Sequence, residues 1–319
     1  MMDPNIALPT EVAPAEALVM TARPANLWKD TLRNIVRQRN ARLGLVLLGL
    51  LFATAIFAPI LAPFDPLDPV GIEEGLVEAD LKGPCIHLFG CPEERPQHIL
   101  GIDRNGRDVL SRVIYGSRIS LYIGFLTVGG AILIGGFLGA TAAWSGKVAD
   151  NSIMRIMDVL LVFPALVLAI AIVTVLGPGL LNAQIAIGIV AIPIYARVMR
   201  ASVLSVKGRD YVFASRALGE SSRGLLIRRI VPNALTPLIV AGTLGLAGAI
   251  LEVAALSFLG LGAQPPLAEW GSMIGLERNQ LFSSPHLIFA PAAALTLSVL
   301  GFNLLGDGLR DALDPRLNR

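Results

Sequence analysis

Apolar positions in this chain come in long unbroken runs, not in the spaced patterns of a water-soluble fold. Leu43–Ala62 carries no charge over twenty positions, and Ile119–Ser145 carries none over 27. Val159–Ala196 is also without a charged residue, but Gly177, Pro178, Gly179 and Asn182 divide it in two. Asn233–Leu251 is uncharged as far as Glu252, and His286–Gly306 closes the set. A helix that crosses a bilayer needs about 20 mostly apolar residues. The pattern predicts an all-α membrane protein with six transmembrane helices, which puts both termini on one side. The organisation read from it is a tail and basic helix over 1–42 and a first span over 43–62. An outer loop with an amphipathic helix covers 63–118. A five-helix core follows over 119–306, with a long inner connection at 207–233, and then a tail over 307–319.

Composition agrees with that reading. Hydrophobic residues make up 54% of the 319 positions and charged residues 16%, with a mean hydropathy of +0.66. Soluble domains carry about 25% charged residues to wet their surfaces. The net charge of +2 says little, but its distribution says more. With the N-terminus inside, the inner segments hold 19 Lys and Arg residues and the outer ones 7. An excess of cations marks the cytoplasmic side, so both termini are expected in the cytoplasm. The first apolar run is too long for a signal peptide and leads into Pro-rich sequence, not a small-residue cleavage site. Asn26–Arg42, with Trp28, Lys29, Arg33, Arg37, Arg39 and Arg42, reads as a basic helix on the inner headgroups, a contact with membrane lipid.

The outer segment Pro63–Arg118 contains both cysteines, Cys85 and Cys91, with His87 between them and His98 beyond. Outside the cytoplasm, two nearby thiols favour a disulfide. A metal site on Cys85, His87, Cys91 and His98 is the alternative, although no acidic ligand or second Cys pair supports it. Asp103–Arg118 alternates charges with Val109, Leu110, Val113, Ile114 and Tyr115, which predicts an amphipathic helix along the outer interface, a structural elbow before the second span. Gly262–Pro285 is expected to dip back toward the interface and help seal the outer mouth.

The longest inner connection reads KGRDYVFASRALGESSRGLLIRRIVPN, from Lys207 to Asn233. Asp210–Leu218 has helical propensity, Gly219 breaks it, and Glu220 or Ser221 can cap a second short helix that Pro232 is expected to stop. Tyr211, Val212, Phe213, Leu225, Leu226 and Ile227 stand among six Arg and Lys residues. Two short angled helices of this kind suit a groove on another protein, with apolar knobs for contact and a basic rim for register. A basic inner loop that merely orients the chain is the other reading.

Ala214, Gly219 and Ile230-Val231-Pro232 resemble the EAA signature of binding-protein-dependent ABC importer permeases. Three further stretches resemble the C-type subunit of the dipeptide/oligopeptide permeases: GIDRNGRDVLSRVIYGSRISL from Gly101, ALSFLGLGAQPPLAEWGSM from Ala255 and FNLLGDGLRDALDPR from Phe302. The resemblance covers nearly the whole chain from about Asn26. It implies a type I ABC importer permease in the cell inner membrane, with Asp210, Tyr211, Phe213, Ala214, Ser215, Gly219, Ile230 and Pro232 at the ATPase-coupling site. Phe213 stands where the family normally has Glu, and Ser215 replaces the second Ala. Asp210 or Glu220 are the candidates to supply the missing acid. The implied partners are a second homologous permease subunit, two ABC ATPase subunits, an extracytoplasmic substrate-binding protein and a peptide substrate. Nucleic acid is not among them.

A phosphate-binding loop needs G-x-x-x-x-G-K followed by Ser or Thr. Gly146-Lys147 is followed by Val148, with Thr141 where the first Gly should be, so no cofactor is expected on this chain; ATP and Mg belong to the partner ATPases. Glu252 is the one acidic residue well inside a span, and Asn303 lies in the last one. An intramembrane carboxylate is costly unless paired or hydrated. Glu252 is read as a structural hydrogen-bonding group, with the pathway as the alternative, and Asn303 as packing. Glycines in the second and fifth spans allow close helix approach. Pro164 and Pro193 are expected to interrupt the third and fourth helices. Nickel or a sugar derivative are alternative cargoes. An ion-coupled secondary transporter is the alternative class, and an intramembrane enzyme finds no H-E-x-x-H or G-x-S-x-G to support it.

Overall fold

The computed structural model describes residues 38–69, 84–92 and 97–313. The basic helix expected over Asn26–Arg42 falls largely outside these residues, as do residues 314–319 of the expected tail. Among the described residues the chain is helical, apart from turns and one isolated bridge between Ile102 and Asp108. In chain order the helices of eight or more residues are α1 (Arg39–Ile56), α2 (Val109–Trp144), α3 (Lys147–Val162), α4 (Ala165–Leu176), α5 (Leu180–Lys207), α6 (Asp210–Ala217), α7 (Ser222–Phe258), α8 (Trp270–Glu277) and α9 (His286–Leu313). Five of these are long and apolar enough to cross a membrane, and the bent pair α3–α4 raises the number to as many as six.

The fused amphipathic stretch and the helix through Pro193 differ from the sequence reading. The amphipathic stretch before the second span is not a separate interfacial helix. Asp108 caps α2 by accepting from the Ser111 N–H at 2.7 Å, and the helix then runs unbroken for 36 residues. At about 1.5 Å per residue it is some 54 Å long, so its first turns stand clear of a hydrocarbon layer of about 30 Å. No residue between Val109 and Ile119 breaks a helix, which is why the two predicted elements fuse. The third predicted span is interrupted at Pro164, as expected. Phe163 takes an extended conformation ahead of Pro164, as a residue preceding proline prefers, and α3 and α4 meet at 93°. With 12 residues, α4 is too short to cross alone. Pro193 interrupts nothing: it sits buried inside a continuous α5.

The core is the seam between α2 and α5. A Cβ on Gly135 would meet the Ile192 carbonyl oxygen at 2.7 Å, and one on Gly139 would meet that of Ala196 at 2.2 Å, so the backbones touch where a larger residue would part them. The register along this seam pairs Thr127 with Gly188, Gly135 with Ile192 and Gly139 with Ala196. Both numbers rise together, so the two helices are parallel. The chain must therefore travel back along the bundle between them, and α3 and α4 make that return. Helix α7 is antiparallel to α2, with Gly136 against Leu238 and Gly124 against Ile250. Helix α1 is antiparallel to α9, with Ala41 against Gly308 and Leu48 against Gly301. Arg39 and Leu313 thus lie at one end of the bundle, together with Trp144 and Lys207. Val109, Trp270 and Leu287 cluster at the other.

Candidate functional site

The connection from Lys207 to Asn233 forms a bent, capped element at the Trp144 end. Its base is fixed by Lys207, whose Nζ lies 5.1 Å from the centre of the Trp144 ring and donates to the Ala143 carbonyl. Helix α6 ends at Gly219, whose φ of +87° belongs to the left-handed region that favours glycine. The Gly219 N–H donates to Arg216 O at 3.0 Å and that of Glu220 to Ser215 O at 3.2 Å, satisfying carbonyls that the helix end leaves open. Ser221 then caps the next helix by accepting from the Gly224 N–H.

The second helix does not stop at Pro232. It widens into a π turn over Leu225–Ile230, in which the Val231 N–H reaches back to Leu226 O, and continues into the membrane as α7. The π turn shifts the carbonyl register just where Pro232 has no N–H to give, so the helix survives the proline. The Asn233 side chain adds a bond to this turn, donating from Nδ2 to the Arg229 carbonyl at 2.6 Å. The short arm and the span are therefore one rod of 37 residues.

The apolar residues of the element divide into two sets. Val212, Leu225 and Ile230 are buried in the chain's own core, so Ile230 anchors the element and offers nothing to a partner. Tyr211, Phe213, Leu218 and Ile227 are exposed, Leu218 at 89%. Ala214, Gly219 and Pro232 are exposed with them, and Ser215 is half-buried. Arg209, Arg216, Arg223 and Arg228 surround this face. Glu220 is engaged by Arg229, at 3.1 Å, while Tyr211 Oη donates to the Arg229 carbonyl. Of the two candidate acids, Asp210 is the one without an ion pair among the described residues. Nearby, Arg197 and Arg200 of α5 hold Asp158 and Asp150 of α3, clamping the bent pair to the core.

At the opposite end the sequence reading underestimated the charged stretch, taking it for an elbow. Asp103 accepts from the N–H groups of Asn105 and Arg107 and from the Arg107 guanidinium at 2.8 Å, and Arg112 Nε lies 3.5 Å away. Arg112 is buried and donates to the carbonyls of Pro66, Pro266 and Leu267, joining three segments remote in sequence. The i, i+4 spacing of Asp103, Arg107 and Asp108, Arg112 was the available signal. Gly262–Pro285 folds back as expected, and its helix α8 is wedged against α7 and α9. Glu269 caps α8 by accepting from Gly271 and Ser272, and Trp270 Nε1 donates to Val113 O at 3.0 Å. Burial raises the pKa of the Glu269 carboxyl, against the pull of those N–H groups. Cys85 and Cys91 are joined in a disulfide, and the His98 ring bonds Asp108 at 2.9 Å. Among the described residues no group of three or more His, Cys, Asp or Glu is gathered to hold a metal ion.

Within the spans, Glu252 is half-buried on α7 and has no hydrogen bond or ion pair among the described residues, in place of the internal bond expected of it. Asn303 is exposed on α9 rather than packed.

Known proteins resemble this chain in sequence and in fold. Residues 131–319 match the family described as binding-protein-dependent transport system inner membrane component, and residues 26–84 match the N-terminal TM domain of oligopeptide transport permease C. The dipeptide transport system permease protein DppC of Alkalihalophilus pseudofirmus is 41% identical over 290 residues, covering 91% of this chain and 90% of that one. The di/tripeptide transport system permease protein DppC of Pseudomonas aeruginosa is 43% identical, covering 91% and 92%. The glutathione transport system permease protein GsiD of Escherichia coli is 40% identical, covering 91% of each. In solved structures, an inward-facing MetNI methionine ABC transporter shares the fold, with a TM-score of 0.52 at 19% identity over 64% of this chain and 98% of that one. On this ground the chain belongs to the inner-membrane permease components of binding-protein-dependent ABC importers, in the oligopeptide permease C branch.

Proposed function

We propose that this chain forms half of the translocation pathway of an ATP-driven importer of di- and oligopeptides, crossing the inner membrane six times with both termini in the cytoplasm. The observation that carries the reading is the rod α7. Its arm carries Ile227, with Phe213 and Leu218 of the preceding segment exposed beside it among Arg209, Arg216, Arg223 and Arg228, and its body is a membrane span. A partner that grips the arm moves the span.

The parallel seam supports six crossings, with the return between α2 and α5 made through α3 and α4. Charge supports the orientation. Among the described residues, 13 Lys and Arg lie toward the Trp144 end and 5 toward the other, where Arg107 and Arg112 are buried besides. Two cytoplasmic ATPase subunits would hold ATP and Mg and close on the coupling elements of this chain and of a second, homologous permease. A substrate-binding protein would deliver peptide at the Trp270 end. This chain would do no chemistry and hold no cofactor. Peptide cargo is the reading its relatives' names favour, since they include dipeptide, tripeptide and glutathione systems.

The test is uptake into sealed vesicles carrying this chain and its partner subunits, with no ion gradient. Labelled dipeptide, tripeptide and glutathione should accumulate with ATP and binding protein together, and with neither alone. Accumulation driven by an ion gradient without ATP would overturn the proposal.

A further inference from the structure

Nothing among the described residues answers Glu252. It stands on α7 within a membrane span, where a carboxylate is costly unless it meets a cation, a donor or water. It has no ion pair or hydrogen bond among the described residues. Its oxygens are not among the enclosed side-chain atoms that lack partners, so they are accessible from outside the chain.

The space beside it is open as well. Gly245 and Gly248 precede Glu252 by seven and four residues, so the three share one side of the rod. A Cβ on Gly248 would meet nothing within 4 Å, which leaves room one turn from the carboxylate. A Cβ on Gly245 would collide with Tyr195 Oη of α5, so a hydroxyl borders that room. Helical side chains lean toward the N-terminus, which carries Glu252 toward Gly248, and its charge is felt at Tyr195. The other side of α7 is closed, with Leu246 and Ile250 buried against Gly124 of α2.

Lipid tails offer a carboxylate nothing. A fixed pair with a cation of the second permease would have to break whenever the rod moves, leaving a charge uncompensated inside the membrane. A cation that arrives and departs with each cycle meets neither objection. The di- and oligopeptides proposed above as cargo differ in their side chains and share one cation, the N-terminal ammonium. Its N–H groups suit a carboxylate, and a carbonyl further along the same backbone can accept from Tyr195 Oη.

We infer that Glu252 is the residue of this chain that receives the peptide ammonium in the pathway, with Gly248 leaving room for the backbone beside it. The inference rests on the function proposed above and adds the feature of the cargo that the membrane part reads, a free amino end.

The test uses the assembled importer in sealed vesicles with ATP, binding protein and a labelled dipeptide whose second side chain carries a photoactivatable diazirine. Illumination during uptake should label residues 241–259. Glu252→Gln should lower that labelling roughly tenfold, the loss expected when one charge-assisted hydrogen bond goes, and uptake should fall with it. Glu252→Asp keeps the charge and should restore most of both. The binding protein meets the same peptide throughout, so a difference among variants belongs to this chain. The second permease should co-purify equally with all three chains. Labelling that ignores Glu252→Gln or maps elsewhere, or loss of the second permease from that variant, would overturn the inference. The importer reading would survive any of these as long as the unaltered chain accumulates peptide with ATP. If the unaltered chain accumulates none, that reading falls and takes the inference with it.

Discussion

Glu269 shows how much one side chain can hold at the Trp270 end. It is 1% exposed, and its two oxygens satisfy the N–H groups of Gly271 and Ser272 at 2.9 and 2.8 Å. Glu269→Ala leaves both donors buried without acceptors, which costs about 1–3 kcal/mol and should appear as a lower melting temperature with unchanged insertion. The acid also makes this end sensitive to pH. Burial raises the pKa of Glu269, and burial raises that of Glu277 against the opposing pull of Arg104. A carboxyl that protonates more readily folded than unfolded contributes its stability fully below its unfolded value and loses it as pH climbs through the folded one. Hydrogen exchange over residues 266–280, corrected for the intrinsic rate, should therefore show protection that falls as pH rises above the ordinary carboxylate range. Protection that rises with pH would refute the assignment. Arg112 belongs to the same lock and was hidden in the sequence for a physical reason. Its partners are the carbonyls of Pro66, Pro266 and Leu267, and backbone carbonyls leave no mark on residue identity.

At the scale of elements, the apolar runs were legible because the bilayer imposes a length on every span, and length survives in sequence. The coupling connection was legible as two helices around Gly219 for a similar reason: a left-handed turn needs glycine, and Ser221 is a strong cap. What could not be read was which apolar residues of that element face inward. Val212 and Phe213 are adjacent and equally apolar, yet one is buried and the other 54% exposed, a distinction set by tertiary packing alone. The π turn was also invisible, and without it Pro232 reads as a stop. If the corner transmits force, its geometry should be exacting. Gly219→Pro cannot reach a φ of +87° and removes the N–H that donates to Arg216 O. Uptake driven by ATP should be abolished in that variant, while membrane level and helix content stay as they are. Normal uptake would count heavily against the element as a handle.

For the whole molecule, the strongest constraint is the parallel pairing of α2 with α5, and it was beyond the reach of hydropathy. A run of apolar residues has no direction. The division of Val159–Ala196 into two spans was read from Gly177 to Asn182, but the 93° bend at Pro164 makes the first of them a composite of α3 and α4 that no length rule describes. The glycine register supplies the direction, because Gly135 and Gly139 admit only one alignment against Ile192 and Ala196. The resulting topology can be tested without any partner subunit. The native cysteines are Cys85 and Cys91, so replacing both leaves a background without thiols. Leu218 and Phe282 are 89% and 98% exposed and lie at opposite ends of the bundle, so Cys tolerates either position. In intact cells a membrane-impermeant maleimide should label Phe282→Cys and spare Leu218→Cys, and opening the membrane should expose both. A return path that failed to cross would instead put the chain's two ends on opposite faces. Cys placed at Arg39 and at Leu313 would then label on different sides, and both the six-span topology and the handle on the inner face would be lost together.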